Sequence, residues 1–207
     1  MVVNCINNTL YDKLPNLILG FHGCNRLTYD NVIVKRQHLR PSDNDYDWLG
    51  NGIYFWENSY ERALEWAENK YGEDACVVGA VISLGRCLNL TDYKSSKILK
   101  ASFEVLSSIY KLRETPMPEN KKGRSDRDIL LRNRDCAVIQ MIHTLAEKSN
   151  DYWKSFDSVR GVFVEGKPVY EGAAISEKTH IQLCIVNPNC IKGYFSPIEP
   201  DDNFAIP

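Results

Sequence analysis

No two cysteines of this 207-residue chain stand close enough to hold a metal ion as a Cys-x-x-Cys pair; the nearest of the seven, Cys184 and Cys190, have five residues between them. The usual paired-thiolate zinc spacing is therefore missing, and no metal site is expected. The odd count, with Cys76 and Cys184 set in apolar runs, reads as buried thiols of a reducing compartment. Nowhere do about 18 apolar residues follow one another, which excludes a membrane-spanning helix. The first fourteen residues carry neither the basic stretch nor the apolar centre of a secretory signal. A soluble, cytoplasmic protein is expected. An excess of one charge is also lacking: 25 basic and 27 acidic side chains leave a net charge of −2, which argues against coating nucleic acid over the whole surface. Repeats and low-complexity tracts are absent. With 43% apolar residues there is material for the core of one domain spanning 1–207.

What is present alternates between two periods. Residues 16–21 form an apolar run, expected to be a buried strand that ends at Gly23. Residues 28–38 suit a short helix, and 41–47 (Pro-Ser-Asp-Asn-Asp-Tyr-Asp) favour a turn held by side-chain-to-backbone bonds. Ile53-Tyr54-Phe55-Trp56 has high β-propensity. A helix capped by Asn58 or Ser59 then places Tyr60, Ala63, Leu64 and Ala67 on one face and stops near Tyr71-Gly72. Residues 75–84 read as a strand, 95–113 and 125–148 as helices joined by a proline- and charge-rich loop over 115–123, and 160–165, 180–186 and 191–195 as strands again. The order predicts an α+β fold.

Three segments carry candidate chemistry. In Phe21-His22-Gly23-Cys24, a glycine at a strand end lets a planar ligand approach the main chain, whose N–H and C=O can clamp a carboxamide beside the histidine; alone, a His-Gly pair is more often a structural turn. In Gly50-Asn51-Gly52-Ile53-Tyr54-Phe55, a tyrosine beside a glycine loop offers a face for stacking a heterocycle, or is simply an aromatic core strand. In Thr179-His180-Ile181-Gln182-Leu183-Cys184, alternation puts His180, Gln182 and Cys184 on one face, and the amide of Gln182 needs either a structural partner or a ligand.

Together these segments resemble the ADP-ribosyltransferase superfamily in its poly(ADP-ribose)-polymerase-like, diphtheria-toxin-like branch, known by a His-Tyr-Glu triad. His22-Gly23 matches the first element, Gly50-Asn51-Gly52-Ile53-Tyr54-Phe55 the second, and Ala63 the small residue usual in the following helix. The resemblance covers about residues 16–90 and 158–196 and implies a split β-sandwich of two packed, mostly antiparallel sheets, with a helical insertion at about 91–157. It also implies NAD as substrate: the carboxamide on the Gly23 main chain, the nicotinamide on Tyr54, and ribose hydroxyls on His22 and Gln182. Gly52 and Phe55 would border the same site, and Ser42 and Asn44 of the 41–47 loop, with Asp47, would cover the adenosine side. Arg62 and Glu57 would brace it, or form an ordinary surface pair. The third element departs from the branch, with Gln182 where glutamate is usual. An amide keeps a hydrogen bond but gives up charge stabilisation of an oxocarbenium-like state, a difference of about 2–4 kcal/mol in the barrier. Glu165, Glu171 or Glu177, just upstream, could supply the missing carboxylate.

The expected activity is mono-ADP-ribosyl transfer from NAD to a protein or to nucleic acid such as RNA, as in a bacterial toxin or antiphage effector silenced by an antitoxin or inhibitor. A non-catalytic NAD- or ADP-ribose-binding module, and an NAD glycohydrolase, are the alternatives. Residues 91–135 hold eleven basic and seven acidic side chains, a local +4 that is either solvated surface or a face for a polyanion.

Overall fold

The computed structural model describes residues 17–122, 130–148 and 155–205. Cys5, the fourteen leading residues, and 123–129 and 149–154 of the helical block lie outside that range. The first strand, β1 (Ile18–Asn25), does not stop at Gly23: it pairs antiparallel with β3 (Ala75–Ile82) along its whole length, Ile18 opposite Ile82 and Asn25 opposite Ala75. Apolar residues on both strands make the pairing worth extending past the glycine. A single turn, α1 (Arg26–Tyr29), capped by the Asn25 side chain, runs into a wide helical turn over Asp30–Val34. Strand β2 (Ile53–Glu57) and helix α2 (Tyr60–Tyr71) follow, and the helix stops at Gly72, whose φ of 60° lies in the left-handed region that glycine enters without steric cost.

Strand β4 (Cys87–Asn89), not expected from its sequence, precedes α3 (Tyr93–Leu112). A two-residue ladder, β5 (Asn120–Lys121) with β6 (Leu131–Arg132), leads into α4 (Asn133–Lys148); of the helix expected over 125–148, residues 130–132 are not helical and 125–129 lie outside the described residues. Strands β7 (Ser158–Phe163), β8 (His180–Ile185) and β9 (Ile191–Phe195) complete the chain. Seven strands form one mixed sheet in the order β4-β7-β8-β2-β1-β3-β9, with β4 and β7 parallel and the other neighbours antiparallel. The architecture is α+β, with one large mixed sheet and one small one. At the centre of the large sheet β1 and β2 pair only at Gly20–Glu57 and Phe21–Trp56, a narrow waist that joins two wider halves.

Register decides which side chains meet. Tyr54, Trp56, Cys184, Gln182, Gly161 and Phe163 share one face of the sheet, whereas Ile53, Phe55 and Ile185 share the other. The second face carries the larger core, with Cys24, Val78, Ile82 and Leu183, covered by Val32 and Leu39. On the first face, α2 lies over β1 and β3 through Ala63, while α4 lies over β7 and β8 through Ile139 and Ile142, beside Leu88, Val159 and Phe163. The helical block is thus no detached excursion; it supplies half of the roof. Among the described residues no helix is long and apolar enough to cross a membrane.

Candidate functional site

The waist is held open by a side chain. Alternation along β1 aims the main-chain groups of residues 19, 21 and 23 toward β2; the Leu19 carbonyl accepts from Asn58 N at 3.0 Å, and pairing continues to Phe21. The same register would next join Gly23 to Tyr54. Instead the His22 imidazole takes the Tyr54 carbonyl, Nδ1 to O at 2.8 Å, so Nδ1 carries the proton and donates. The main-chain N–H and C=O of Gly23 are thereby left facing the gap between the strands. Burial pushes the His22 pKa down, which keeps the ring neutral with Nε2 as an acceptor.

Gly23 also has a packing reason to be glycine. A Cβ there would stand 2.3 Å from the Ala63 carbonyl of α2, so the helix fills the space above the strand. Any approach to Gly23 is edgewise, from the β2 side, not through the face its missing side chain leaves.

Tyr54 is committed to its own loop. Its hydroxyl donates to the Gly50 carbonyl at 2.6 Å and accepts from Leu49 N at 2.8 Å, and its ring packs among Leu49, Ile139 and Cys184. Gly50, at φ 82°, is in the left-handed conformation this turn requires. Burial raises the Tyr54 pKa, so the phenol stays protonated. Gln182 lies one strand further, opposite Trp56, and its half-buried amide has no hydrogen-bond partner among the described residues.

No known protein-family profile matches the chain. An uncharacterized protein of Methanocaldococcus jannaschii is 28% identical over 195 residues, an alignment covering 83% of each chain. That similarity brings no activity with it.

The other sequence candidates divide sharply. Phe55 is fully enclosed, sharing the core with Ile53 and Ile82, and reaches no ligand; Gly52 is buried against Cys184 and the Ile185 carbonyl. Ser42 and Gly52 exchange both main-chain bonds, at 2.8 and 3.0 Å, and Asn44 spends its amide on Ser42 Oγ at 2.8 Å and its N–H on Asp47 at 3.0 Å. The 41–47 segment is a self-satisfied turn. Glu57 and Arg62 do not pair with each other: Glu57 holds Arg160 with both oxygens, at 2.6 and 2.9 Å, on the face away from Gln182.

Arg62 belongs to a network that sequence reasoning missed. It bonds Glu65 and, at 3.1 Å, Glu165; Lys178 also bonds Glu65, which holds that carboxyl below its usual range. His180 donates from Nδ1 to the Lys178 carbonyl at 2.7 Å, with Glu165 at 3.6 Å. Glu171 and Glu177 are exposed, so of the three upstream carboxylates only Glu165 joins this face. Trp56 Nε1, Arg62 Nε and His180 Nε2 are buried without partners among the described residues, although a buried polar atom ordinarily has one. The signal was legible: His180 shares strand and face with Gln182. Tyr60, expected on the buried side of its helix, is 37% exposed and meets Phe21 edge to face, ring centroids 5.8 Å apart.

Proposed function

We propose that the chain binds NAD at the gap between β1 and β2 and transfers its ADP-ribose to a macromolecule, within a split β-sandwich of the ADP-ribosyltransferase type. The observation that carries this reading is the replacement of the expected Gly23–Tyr54 ladder bond by His22, which frees a donor and an acceptor on one glycine at the spacing a carboxamide matches. His22 Nε2 offers an acceptor for a ribose hydroxyl, and the Gln182 amide, without a hydrogen-bond partner among the described residues, offers a second contact. Tyr54 then acts as the post that fixes the Gly50 turn, while the half-buried Phe21, two residues before Gly23, and the partly exposed Tyr60 that it meets supply aromatic surface on that side of the strand. In the transfer the glycosidic C–N bond breaks, nicotinamide leaves with the bonding pair, and a lone pair of the acceptor forms the new bond to the ribose carbon while its proton passes to solvent. The test is nicotinamide release from NAD by the purified chain. Release that His22→Ala abolishes supports the reading; release unaffected by that change refutes it.

One observation favours a second reading, a module that binds NAD or ADP-ribose without chemistry. The only one of the three upstream carboxylates on the Gln182 face, Glu165, is ion-paired to Arg62. Without a charge aimed at the sugar, much of the electrostatic stabilisation is missing. Saturable NAD binding with no nicotinamide released would decide for the module.

A further inference from the structure

Beside β7, between α3 and α4, lies a cavity of about 390 Å³ that the NAD reading does not use. Its walls are apolar: Leu99 and Phe103 from α3, Ile139 from α4, and Trp48 with Phe163, whose rings lie 4.5 Å apart. The Arg132 guanidinium lies over both rings, 4.6 Å from the indole centroid and 4.8 Å from the phenyl centroid, so a cation already sits against the aromatic wall. Lys100 and Arg134 complete a rim of three cations, which Asp135, 3.7 Å from Arg132, and Glu119, 3.9 Å from Arg134, offset in part. Lys100 is exposed and has no ion-pair partner among the described residues. The local positive charge seen in the sequence is therefore concentrated, in part, around an aromatic slot.

We infer that this cavity takes one base, with its flanking phosphates, of a single-stranded nucleic acid. The volume suits a nucleoside better than a folded peptide segment. Flat aromatic and guanidinium surfaces stack any base, and three cations at the rim suit the phosphates on either side. In a duplex the base would be unavailable to the slot, so a single strand is the form that fits. As an acceptor site, the inference rests on the NAD reading: Phe163 is two residues along β7 from Gly161, the partner of Gln182, which puts the slot about 7 Å along the strand from that residue.

The test is fluorescence anisotropy of an end-labelled single-stranded RNA of about ten nucleotides, and of the DNA of that sequence, titrated with the full chain in the absence of NAD. The wild-type chain is expected to bind at least one strand, with the duplex a poor competitor. Phe103→Ala, at a partly exposed ring, should weaken binding by about tenfold. Lys100→Glu should weaken it as well and flatten the salt dependence by about one unit of logarithmic slope. Both variants should keep the wild-type melting temperature and the wild-type rate of NAD cleavage without acceptor. No binding at roughly 100 μM chain, binding that neither variant alters, or equal displacement by an acidic aromatic peptide overturns the inference. The two readings fail separately. RNA binding with these variant effects but no nicotinamide release keeps the slot and removes the NAD site; normal release without RNA binding removes the slot alone.

Discussion

His22→Ala tests the waist directly. The substitution deletes the Nδ1–H donor that the Tyr54 carbonyl uses at 2.8 Å, together with the contact of the imidazole with Phe55, ring centroids 5.9 Å apart. Left without a partner in a half-buried strand, that carbonyl would cost about 1–3 kcal/mol. The register supplies a replacement, however, because Gly23 N–H is the next group in line to meet it. Closing that bond should recover about 1 kcal/mol, so the variant is expected to lose only about 1 kcal/mol net of stability in urea titration. The informative readout is amide hydrogen exchange. In the wild type, Gly23 should exchange faster than His22 and Cys24, whose main chains face β3. In the variant, Gly23 should become protected as the ladder zips up, and the thermal stabilisation that the wild type gains from NAD should vanish with it. Equal protection of residues 22, 23 and 24 in the wild type would mean that no free donor exists at Gly23, and the proposed carboxamide clamp would have nothing to clamp with.

Three further outcomes follow from the same geometry. Tyr54→Phe removes the hydroxyl that serves both Leu49 N–H and the Gly50 carbonyl, and should cost about 1–3 kcal/mol in chemical denaturation; unchanged stability would show that the turn needs no post. Gln182→Glu places a carboxylate at the sugar side of the proposed site and should raise the rate of nicotinamide release by tens- to hundreds-fold, the equivalent of about 2–4 kcal/mol, with a slower rate counting against the assigned orientation. His22, His143 and His180 all have their pKa lowered by burial. Their stabilising contribution is therefore complete above the ordinary imidazole value of about 6.5 and is lost as pH falls from there toward the folded-state values. Urea midpoints measured between neutral pH and about pH 5 should fall, and a flat profile would show that folding does not lower the pKa of these rings.

How much of this was legible in the sequence depended on whether the signal was local. Strand β2 and helix α2 follow from β-propensity and helical spacing within a few residues of each other, and the chain order of β1, β2 and β8 follows from three apolar runs. The extent of β1 did not, because pairing with β3 carries it past a glycine that looks like a terminus. Strand β4 was invisible because three residues earn their place only by parallel pairing with β7. Leu131 and Arg132, expected to be helical, have a similar cause for leaving α4: they are drawn into a ladder with Asn120 and Lys121.

At the site, residue type was a better guide than residue role. His22, Tyr54 and Gln182 do fall on neighbouring strands, yet the tyrosine serves the loop, and the histidine acts first on the main chain. A glycine after a strand suggests room for a ligand above it, but here that room belongs to the Ala63 carbonyl, and the opening lies in the plane of the sheet instead. The distinction has a consequence for which substitutions separate fold from function. Gly23→Ala attacks the helix contact, since its Cβ must displace a main-chain oxygen 2.3 Å away, and should destabilise the chain whether or not NAD binds. His22→Ala leaves that contact intact; it removes the imidazole, with its proposed ribose contact, and lets Gly23 take the Tyr54 carbonyl. A loss of NAD binding in the second variant, with the melting temperature nearly kept, therefore separates the site from the fold, which no substitution at the glycine can do.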